Sequence, residues 1–114
     1  MESLDLARAI AETLEDKKGE DILLLDLQTL APLSDYFVIC SGSSDRTIRA
    51  LMDGVVVEML AKYRIKPKLE GSPDEGWLLA DFGSVVVHVF SEHQRDYYRL
   101  EDLWSGAKVL LHVQ

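Results

Sequence analysis

Two apolar runs separated by a Gly-Ser pair dominate the hydrophobic pattern of this 114-residue chain. The runs are Trp77–Phe82 and Val85–Phe90, with Gly83-Ser84 between them. This pattern predicts a β-hairpin with a two-residue turn, because glycine readily adopts the positive φ that such turns require. The turn fixes which residues lie opposite each other, so the two faces of the hairpin can be assigned.

Because side chains alternate across a strand, the hairpin has two different faces. One is wholly apolar and is predicted to be core; it consists of Leu78, Ala80, Phe82, Val85, Val87 and Val89. The other, called here the Trp77 face, carries an indole, an imidazole and a carboxylate among apolar side chains; it consists of Trp77, Leu79, Asp81, Val86, His88 and Phe90. We expect the Trp77 face to be partly exposed. Asp81 and His88 lie diagonally on it, within reach of each other.

Apolar residues at helical spacing predict two amphipathic helices. The first covers Ser3–Lys17 and ends at Gly19, and the second, with the cleanest periodicity in the chain, covers Asp45–Tyr63. A third, shorter helix is predicted at Ser91–Tyr98, with Ser91 as its N-cap.

Short runs rich in apolar and β-branched residues predict further strands at Asp21–Leu27 and Asp35–Ser41. Ile65–Glu70 is a candidate edge strand, because Pro67 has no N–H to offer a second neighbour. Lys108–Val113 fits either a final strand or a tail that packs on a neighbouring molecule.

The predicted order α-β-β-α-β-β-β-α indicates the α/β class, with one domain over residues 1–114. In this architecture a single mixed β-sheet is covered by about three helices, as an α/β sandwich. The long helix forms a right-handed crossover, so the strands that it connects are expected to be parallel neighbours or near-neighbours. Three helices cover one face of such a sheet well and the other only partly, which favours exposure of the Trp77 face.

Acidic residues outnumber basic ones, 20 to 12, and the formal charge is -8. This balance disfavours broad nucleic-acid binding and favours a basic protein partner, although net charge also serves solubility alone. The single cysteine, Cys40, excludes an internal disulfide and a multi-cysteine zinc site. No apolar run approaches the ~20 residues that span a bilayer, and the acidic start at Met1–Asp5 lacks the basic residues of a signal peptide. We therefore expect a cytoplasmic protein.

Gly42-Ser43 follows a predicted strand and precedes a helix, where nucleotidyltransferases place a phosphate-binding Gly-Ser loop. A phosphotransferase of that kind also needs two acidic residues, one position apart on a neighbouring strand, to hold metal ions. Asp81 stands alone on its strand, so a loop that only caps the next helix is the competing interpretation. Cys40 is predicted to be a buried, inert thiol, and the three histidines lack metal-ligand spacing.

The segment 95–104 combines Arg, Tyr and Trp, the residue types that stabilise the centres of protein interfaces. The competing role of this segment is to dock the C-terminal part of the chain on the core. We expect Arg95 and one tyrosine to lie outside, and Leu100, Leu103 and Trp104 to lie inside.

Five sequence blocks occur in a characteristic order over about residues 4–105. They are Lys18-Gly19-Glu20-Asp21, DYFVICSGSS at 35–44, Glu70-Gly71, WLLADFGSVVVHVF at 77–90, and Arg95 followed by YYRLEDLW at 97–104. In these blocks the chain resembles the ribosomal silencing factor family, also called the iojap-related family. Residues 106–114 correspond to a variable tail and inherit nothing from the resemblance.

The resemblance implies a nucleotidyltransferase-like fold without the catalytic acids, and hence no enzymatic activity and no cofactor. It implies binding to large-subunit ribosomal protein fourteen, where the bound factor blocks joining of the ribosomal subunits and lowers translation when nutrients are short. A role in large-subunit maturation and homodimers in the free state are implied as well.

The partner-binding residues expected from this resemblance centre on the Trp77 face. Its apolar centre would consist of Trp77, Leu79, Val86, His88 and Phe90. The carboxylates of Asp81, Asp35 and Glu70 would pair with Lys or Arg of the basic partner, and Arg95 and Tyr98 complete the set. The remaining acidic surface would repel RNA of the incoming small subunit, so no nucleic-acid specificity is expected, and no metal or membrane contact.

Overall fold

The computed structural model of the chain describes residues 2–30, 34–99, 102 and 106–114. Its α-helices in these ranges are α1 (Ser3–Asp16), α2 (Asp45–Tyr63) and α3 (Glu92–Tyr98), and a short 3-10 helix covers Pro73–Glu75. The strands are β1 (Glu20–Asp26), β2 (Tyr36–Gly42), β3 (Lys68–Ser72), β4 (Trp77–Asp81), β5 (Val85–Ser91) and β6 (Lys108–Val113). The predicted bounds are confirmed to within one residue except at β3, which begins later than expected. The expectations for Leu100, Leu103 and Trp104 lie outside the described residues.

The strands form one mixed sheet in the order β3-β4-β5-β2-β1-β6. Strands β2 and β5 are parallel, and the other neighbouring pairs are antiparallel. The predicted α/β class with a single mixed sheet and three helices is confirmed. The parallel neighbour of β2 is β5, however, and two strands separate β2 from β3. The reason is that β3, β4 and β5 form an antiparallel meander after α2, and its last strand returns to the sheet centre.

Helices α1 and α2 lie on one face of the sheet and enclose the main core. The core side chains come from both helices and from the central strands; they include Leu6, Ile10, Leu14, Leu24, Val38, Cys40, Ile48, Leu51, Met52, Val55 and Met59. The predicted core face of the hairpin is confirmed, because its central residues Ala80, Val85, Val87 and Val89 are fully buried here. Burial of each large apolar side chain contributes roughly 1.5–3 kcal/mol. Among the described residues, no helix is long and apolar enough to cross a membrane.

The hairpin has the predicted register, in which Trp77 lies opposite Phe90 and Leu79 lies opposite His88. Gly83 has a φ of 91°, in the region that favours glycine. Its N–H donates to Oδ1 of Asp81 at 2.7 Å, which closes the turn. The register therefore follows from the turn, as the sequence predicts.

The two outer strands are β3 and β6. Arg64 ends α2 in the left-handed conformation, with φ at 59°, and the N–H of Ile65 still donates to the Met59 carbonyl at 3.4 Å. The chain therefore cannot join the sheet until after Pro67, which explains the late start of β3. At the other edge of the sheet, β6 pairs antiparallel with β1. Of the two possibilities for Lys108–Val113, a strand or a tail that packs on a neighbouring molecule, the strand is therefore the one observed.

Candidate partner-binding surface

Trp77 is the half-buried centre of a cluster of aromatic rings on the sheet face opposite α1 and α2. Its Nε1–H donates a hydrogen bond to Nδ1 of His88 at 3.2 Å. The indole stacks on Phe90 with ring centroids 5.2 Å apart, and it lies 4.8 Å from the ring of Tyr98. These contacts hold the indole in one orientation in the free protein.

His88 is only 4% exposed and lies among aromatic rings. Its ring centroid is 4.6 Å from that of Phe37 in an edge-on contact, and 6.0 Å from that of Phe90. Burial lowers the pKa of His88 from 6.5 to about 4, so the imidazole is neutral at pH 7. Because Nδ1 accepts the indole N–H, the proton of the neutral ring belongs on Nε2.

The expected contact between Asp81 and His88 is replaced by two separate hydrogen bonds. Nδ1 of His88 is used by Trp77, and Oδ1 of Asp81 accepts the N–H of Gly83 in the turn. The Asp81 carboxylate points away from the imidazole because it accepts the backbone N–H two residues later, a contact that aspartate commonly makes in turns. Asp81 therefore remains exposed and available to a partner.

Two recesses flank the indole. One, of about 190 Å³, is lined by Glu70, Gly71, Trp77 and Leu79. The other, of about 280 Å³, is lined by Gly71, Glu75, Trp77, Gln94 and Tyr98. Because Trp77 and Gly71 line both, the indole stands between two openings that a partner side chain could enter.

Gly71 allows β3 to approach β4 at this point. It has a φ of 88°, and a Cβ there would lie 2.2 Å from the Trp77 carbonyl oxygen. No larger residue fits without separating the strands, so the backbone beside Trp77 depends on this glycine. Glu70, the preceding residue, is exposed and lies opposite Leu79.

Arg95 connects α3 to the sheet from a buried position, 5% exposed. Its guanidinium donates to the backbone carbonyl of Asp21 and, at 2.9 Å, to Oγ of Ser41. It also forms an ion pair with the Asp21 carboxylate at 3.5 Å, and His112 of β6 contacts that carboxylate at 2.6 Å. The network fixes α3 on the sheet and thereby holds Tyr98, one turn later, against Trp77.

The carboxylates expected at the interface lie around the open part of the Trp77 face. Asp81 and Glu70 are exposed, on β4 and β3 respectively, and Asp35 is half-buried just before β2. The backbone N–H of Asp35 donates to the Ser84 carbonyl at 2.8 Å, which places it beside the hairpin turn. Negative charge therefore lies along one border of the aromatic cluster.

The Gly42-Ser43 loop has the geometry of a helix cap. Oγ of Ser44 accepts the N–H of Thr47 at 3.1 Å, and a Cβ on Gly42 would lie 2.9 Å from the Ile48 side chain. In the described part of the chain, no three His, Cys, Asp or Glu side chains come together as a potential metal site. Burial raises the pKa of Cys40 to about 12, so its thiol is protonated and unreactive at neutral pH.

Comparison with known proteins assigns this chain to a family. The family model described as "Ribosomal silencing factor during starvation" matches residues 1–113. The chain belongs to the ribosomal silencing factor family. It is 37% identical over 107 residues to ribosomal silencing factor RsfS of Bacillus subtilis, covering 94% of this chain and 91% of that protein.

Other relatives of this ribosomal silencing factor family member agree with the assignment. It is 34% identical over 99 residues to the mouse protein named mitochondrial assembly of ribosomal large subunit protein 1, covering 84% of this chain and 43% of that protein. A crystal structure of a Chromobacterium violaceum protein superimposes with a TM-score of 0.86 at 37% identity, over 100% of this chain and 95% of the other. The family suggested by the sequence blocks is confirmed, and the α/β fold with one mixed sheet is shared with this crystal structure.

In this silencing factor family member, the predicted partner-binding residues fall into two groups. Six are exposed or half-buried: Trp77, Leu79, Asp81, Glu70, Asp35 and Tyr98. Four are buried, with exposed fractions of 8% or less: Val86, His88, Phe90 and Arg95. The Trp77 face is therefore partly exposed, as expected, whereas the expectation that Arg95 lies outside is wrong.

The physical reason is a second apolar cluster on this side of the sheet. Its buried members are Leu23, Leu25, Leu27, Ile39 and Phe90, with Phe37, Trp77 and Ala107 packed against them. Strand β5 lies next to β2, within this cluster, whereas β4 lies beside the edge strand β3. Only the β4 half of the Trp77 face consequently stays open.

Sequence reasoning missed Gly71 and Gln94, which line the recesses beside Trp77. Gly71 belongs to the Glu70-Gly71 block, and a glycine next to a strand is a signal for a close backbone approach. Gln94 carries no such signal, because only the docking of α3 brings it to Trp77. The anchoring role of Arg95 was missed for the same reason.

Protonation of His88 is expected to destabilise the protein at mildly acidic pH. The unfolded chain takes up this proton near pH 6.5 and the folded protein only near pH 4, so stability falls as the pH drops between these values. The stabilisation lost is about 3 kcal/mol over the full interval. Urea unfolding at several pH values measures it, with His88→Asn as the non-titrating control. If the variant showed the same pH slope as the wild type, the assignment would be wrong.

Proposed function

We propose that this protein binds the large ribosomal subunit through large-subunit ribosomal protein fourteen and sterically blocks the joining of the small subunit. The observation that carries the proposal is the pre-oriented, half-buried Trp77, which stands between two recesses and is bordered by carboxylates. Membership of the ribosomal silencing factor family supports a ribosomal target. Translation would be lowered in this way under nutrient limitation.

The chemistry of the surface suits a basic protein partner. Buried aromatic side chains contribute most to the affinity of protein interfaces, and a side chain that is already fixed loses little entropy on binding. The carboxylates of Asp81, Glu70 and Asp35 would pair with Lys or Arg around this centre. The net charge of -8 would accelerate the encounter with a positively charged surface.

The burial of several residues changes their proposed roles. Trp77, Leu79 and Tyr98 would contact the partner directly, because they are accessible on the open side. Val86, His88, Phe90 and Arg95 would instead support that surface from beneath: the first three from β5, and Arg95 through its hold on α3.

Silencing would require no catalytic step and no cofactor. The bound protein would occupy the space that the small subunit needs, and the acidic surface away from the contact would repel its RNA. Participation in large-subunit maturation is compatible with the same binding, as the name of the mouse relative suggests. In the free state, we propose a homodimer that uses the open apolar surface and competes with ribosome binding.

Co-sedimentation with purified ribosomal subunits tests the proposal. We expect the protein to migrate with the large subunit, not with the small one, and to reduce the fraction of joined ribosomes. Binding to isolated protein fourteen should be weakened by salt, because charge pairs contribute to it. Failure to bind protein fourteen, or binding without any effect on joining, would overturn the proposal. A titration with ATP and Mg²⁺ should give no heat beyond dilution, whereas micromolar binding would favour the phosphotransferase alternative.

A further inference from the structure

The segment 62–68 concentrates positive charge in an otherwise acidic chain. It has the sequence KYRIKPK, with four basic residues and no acidic one, although the whole chain has only 12 basic residues. Because the total formal charge is -8, the rest of the protein carries a charge of -12. The protein therefore has one strongly basic segment at the C-terminal end of α2.

These basic side chains are presented to solvent. Lys62, Arg64, Lys66 and Lys68 are all exposed, whereas the intervening Ile65 and Pro67 are half-buried. Lys66 and Lys68 share a side, since residues two apart in an extended chain point the same way, and Arg64 is exposed at the end of α2. The left-handed conformation of Arg64 ends α2 and sets the direction of the segment.

Most of this positive charge is not neutralised within the protein. Lys62 forms an ion pair with Glu58 at 3.3 Å, one helical turn earlier, on the exposed surface of α2. In the part of the chain that the structure describes, no ion pair involves Arg64, Lys66 or Lys68. Three cations are consequently available to an external anion.

The basic segment lies next to the open side of the Trp77 face. It leads directly into the edge strand β3, where Lys68 lies opposite Asp81 of β4. A protein that docks through Trp77 would therefore place the segment at the border of the contact, beyond the outer edge of the sheet. On a ribosome, the surface around a ribosomal protein consists largely of RNA.

We infer that Arg64, Lys66 and Lys68 form a second contact, with the phosphate backbone of ribosomal RNA beside the protein on which the Trp77 face docks. This inference rests on the proposed function. These cations form no ion pair within the described residues, although Lys68 lies opposite Asp81, and such a row suits a phosphate chain, in which each nucleotide carries one negative charge. The acidic surface elsewhere disfavours RNA, so we expect this end of the molecule to face it, and the contact would fix the orientation of the bound protein.

The test compares Arg64→Gln/Lys66→Gln with the wild type on two targets, purified large subunits and isolated protein fourteen. Lys68 is kept because it borders Asp81. On large subunits at 0.1 M salt we expect a loss of roughly 30-fold, with a salt slope lower by about 1.5, from two phosphate contacts. On isolated protein fourteen we expect no change. The matched control, Arg46→Gln/Arg49→Gln, removes two exposed charges about 22–27 Å from Arg64 along α2 and should behave as wild type.

The two targets separate failure of this inference from failure of the proposed function. If the wild type does not bind isolated protein fourteen, the proposed partner is wrong, while the salt slope on large subunits still tests the RNA contact. Equal affinity and slope of variant and wild type on large subunits would overturn the inference, as would an equal loss on both targets.

A photoreactive amino acid at position 66 identifies the contacted molecule directly. After irradiation of the complex with large subunits, we expect a cross-linked product that ribonuclease degrades. A product sensitive only to protease would assign the cations to an acidic protein segment, and absence of any product would place the segment in solvent; both results contradict the inference.

Discussion

Trp77→Ala is expected to lower the affinity for the large ribosomal subunit by about 30- to 1,000-fold while the protein remains folded. Truncation of an aromatic residue at the centre of an interface commonly costs about 2–4 kcal/mol of binding free energy. The same change leaves the helix-covered core intact, because Trp77 packs only at the margin of the second apolar cluster. Sedimentation binding together with circular dichroism measures both quantities.

Two control variants make this expectation specific to the indole. Leu69→Ala removes an apolar side chain that is 53% exposed on the neighbouring edge strand but points to the opposite side of the sheet, and should bind normally. Trp77→Phe keeps an aromatic ring and loses the hydrogen bond to His88, so an intermediate affinity is expected. Full binding by Trp77→Ala would place the contact elsewhere on the molecule.

Arg95→Leu is expected to reduce the free energy of unfolding by about 3 kcal/mol, because it removes a buried guanidinium whose hydrogen bonds to Asp21 and Ser41 are charge-assisted and contribute about 1.5–3 kcal/mol each. The variant leaves Oγ of Ser41, in a residue only 4% exposed, and the Asp21 carbonyl without their charged donor. Chemical unfolding measures the loss. Weaker binding to the large subunit should accompany it, because α3 positions Tyr98 beside Trp77.

Arg99 provides a matched comparison on the same helix end. It pairs with Asp102 at 3.3 Å, but the two side chains are 70% and 65% exposed. Such surface pairs contribute at most about 1 kcal/mol, so Arg99→Leu should change stability little. If the two substitutions cost the same, the buried network around Arg95 would not be the cause of its effect.

The parts of the fold that were predictable are those determined by local sequence. The Gly83-Ser84 turn sets the hairpin register, and the apolar period of α2 gives its bounds from Asp45 to Tyr63. The parts that were not predictable depend on contacts between distant segments. Arg95 is buried only because Asp21, 74 positions earlier, and Ser41 provide acceptors for its guanidinium.

The candidate site shows the same division. Trp77, Leu79 and Asp81 could be assigned to one face from strand alternation alone. The burial of His88 and Phe90 could not, because it depends on how β5 pairs with β2 in the sheet centre. The strand register alone could not show that His88 accepts a hydrogen bond from Trp77 rather than contacting Asp81, because the register does not specify the side-chain rotamers.

The edge position of β3 gives the proposed contact a dynamic character. This strand pairs with β4 alone, and its first four residues are exposed, so its amide groups should exchange with solvent long before those of the central strands. Glu70 and Gly71, which form one wall of the recess beside Trp77, lie on this least protected strand. The fixed indole thus lies beside a strand that can change its conformation slightly on binding. A docked partner is expected to slow the hydrogen exchange of the β3 amides.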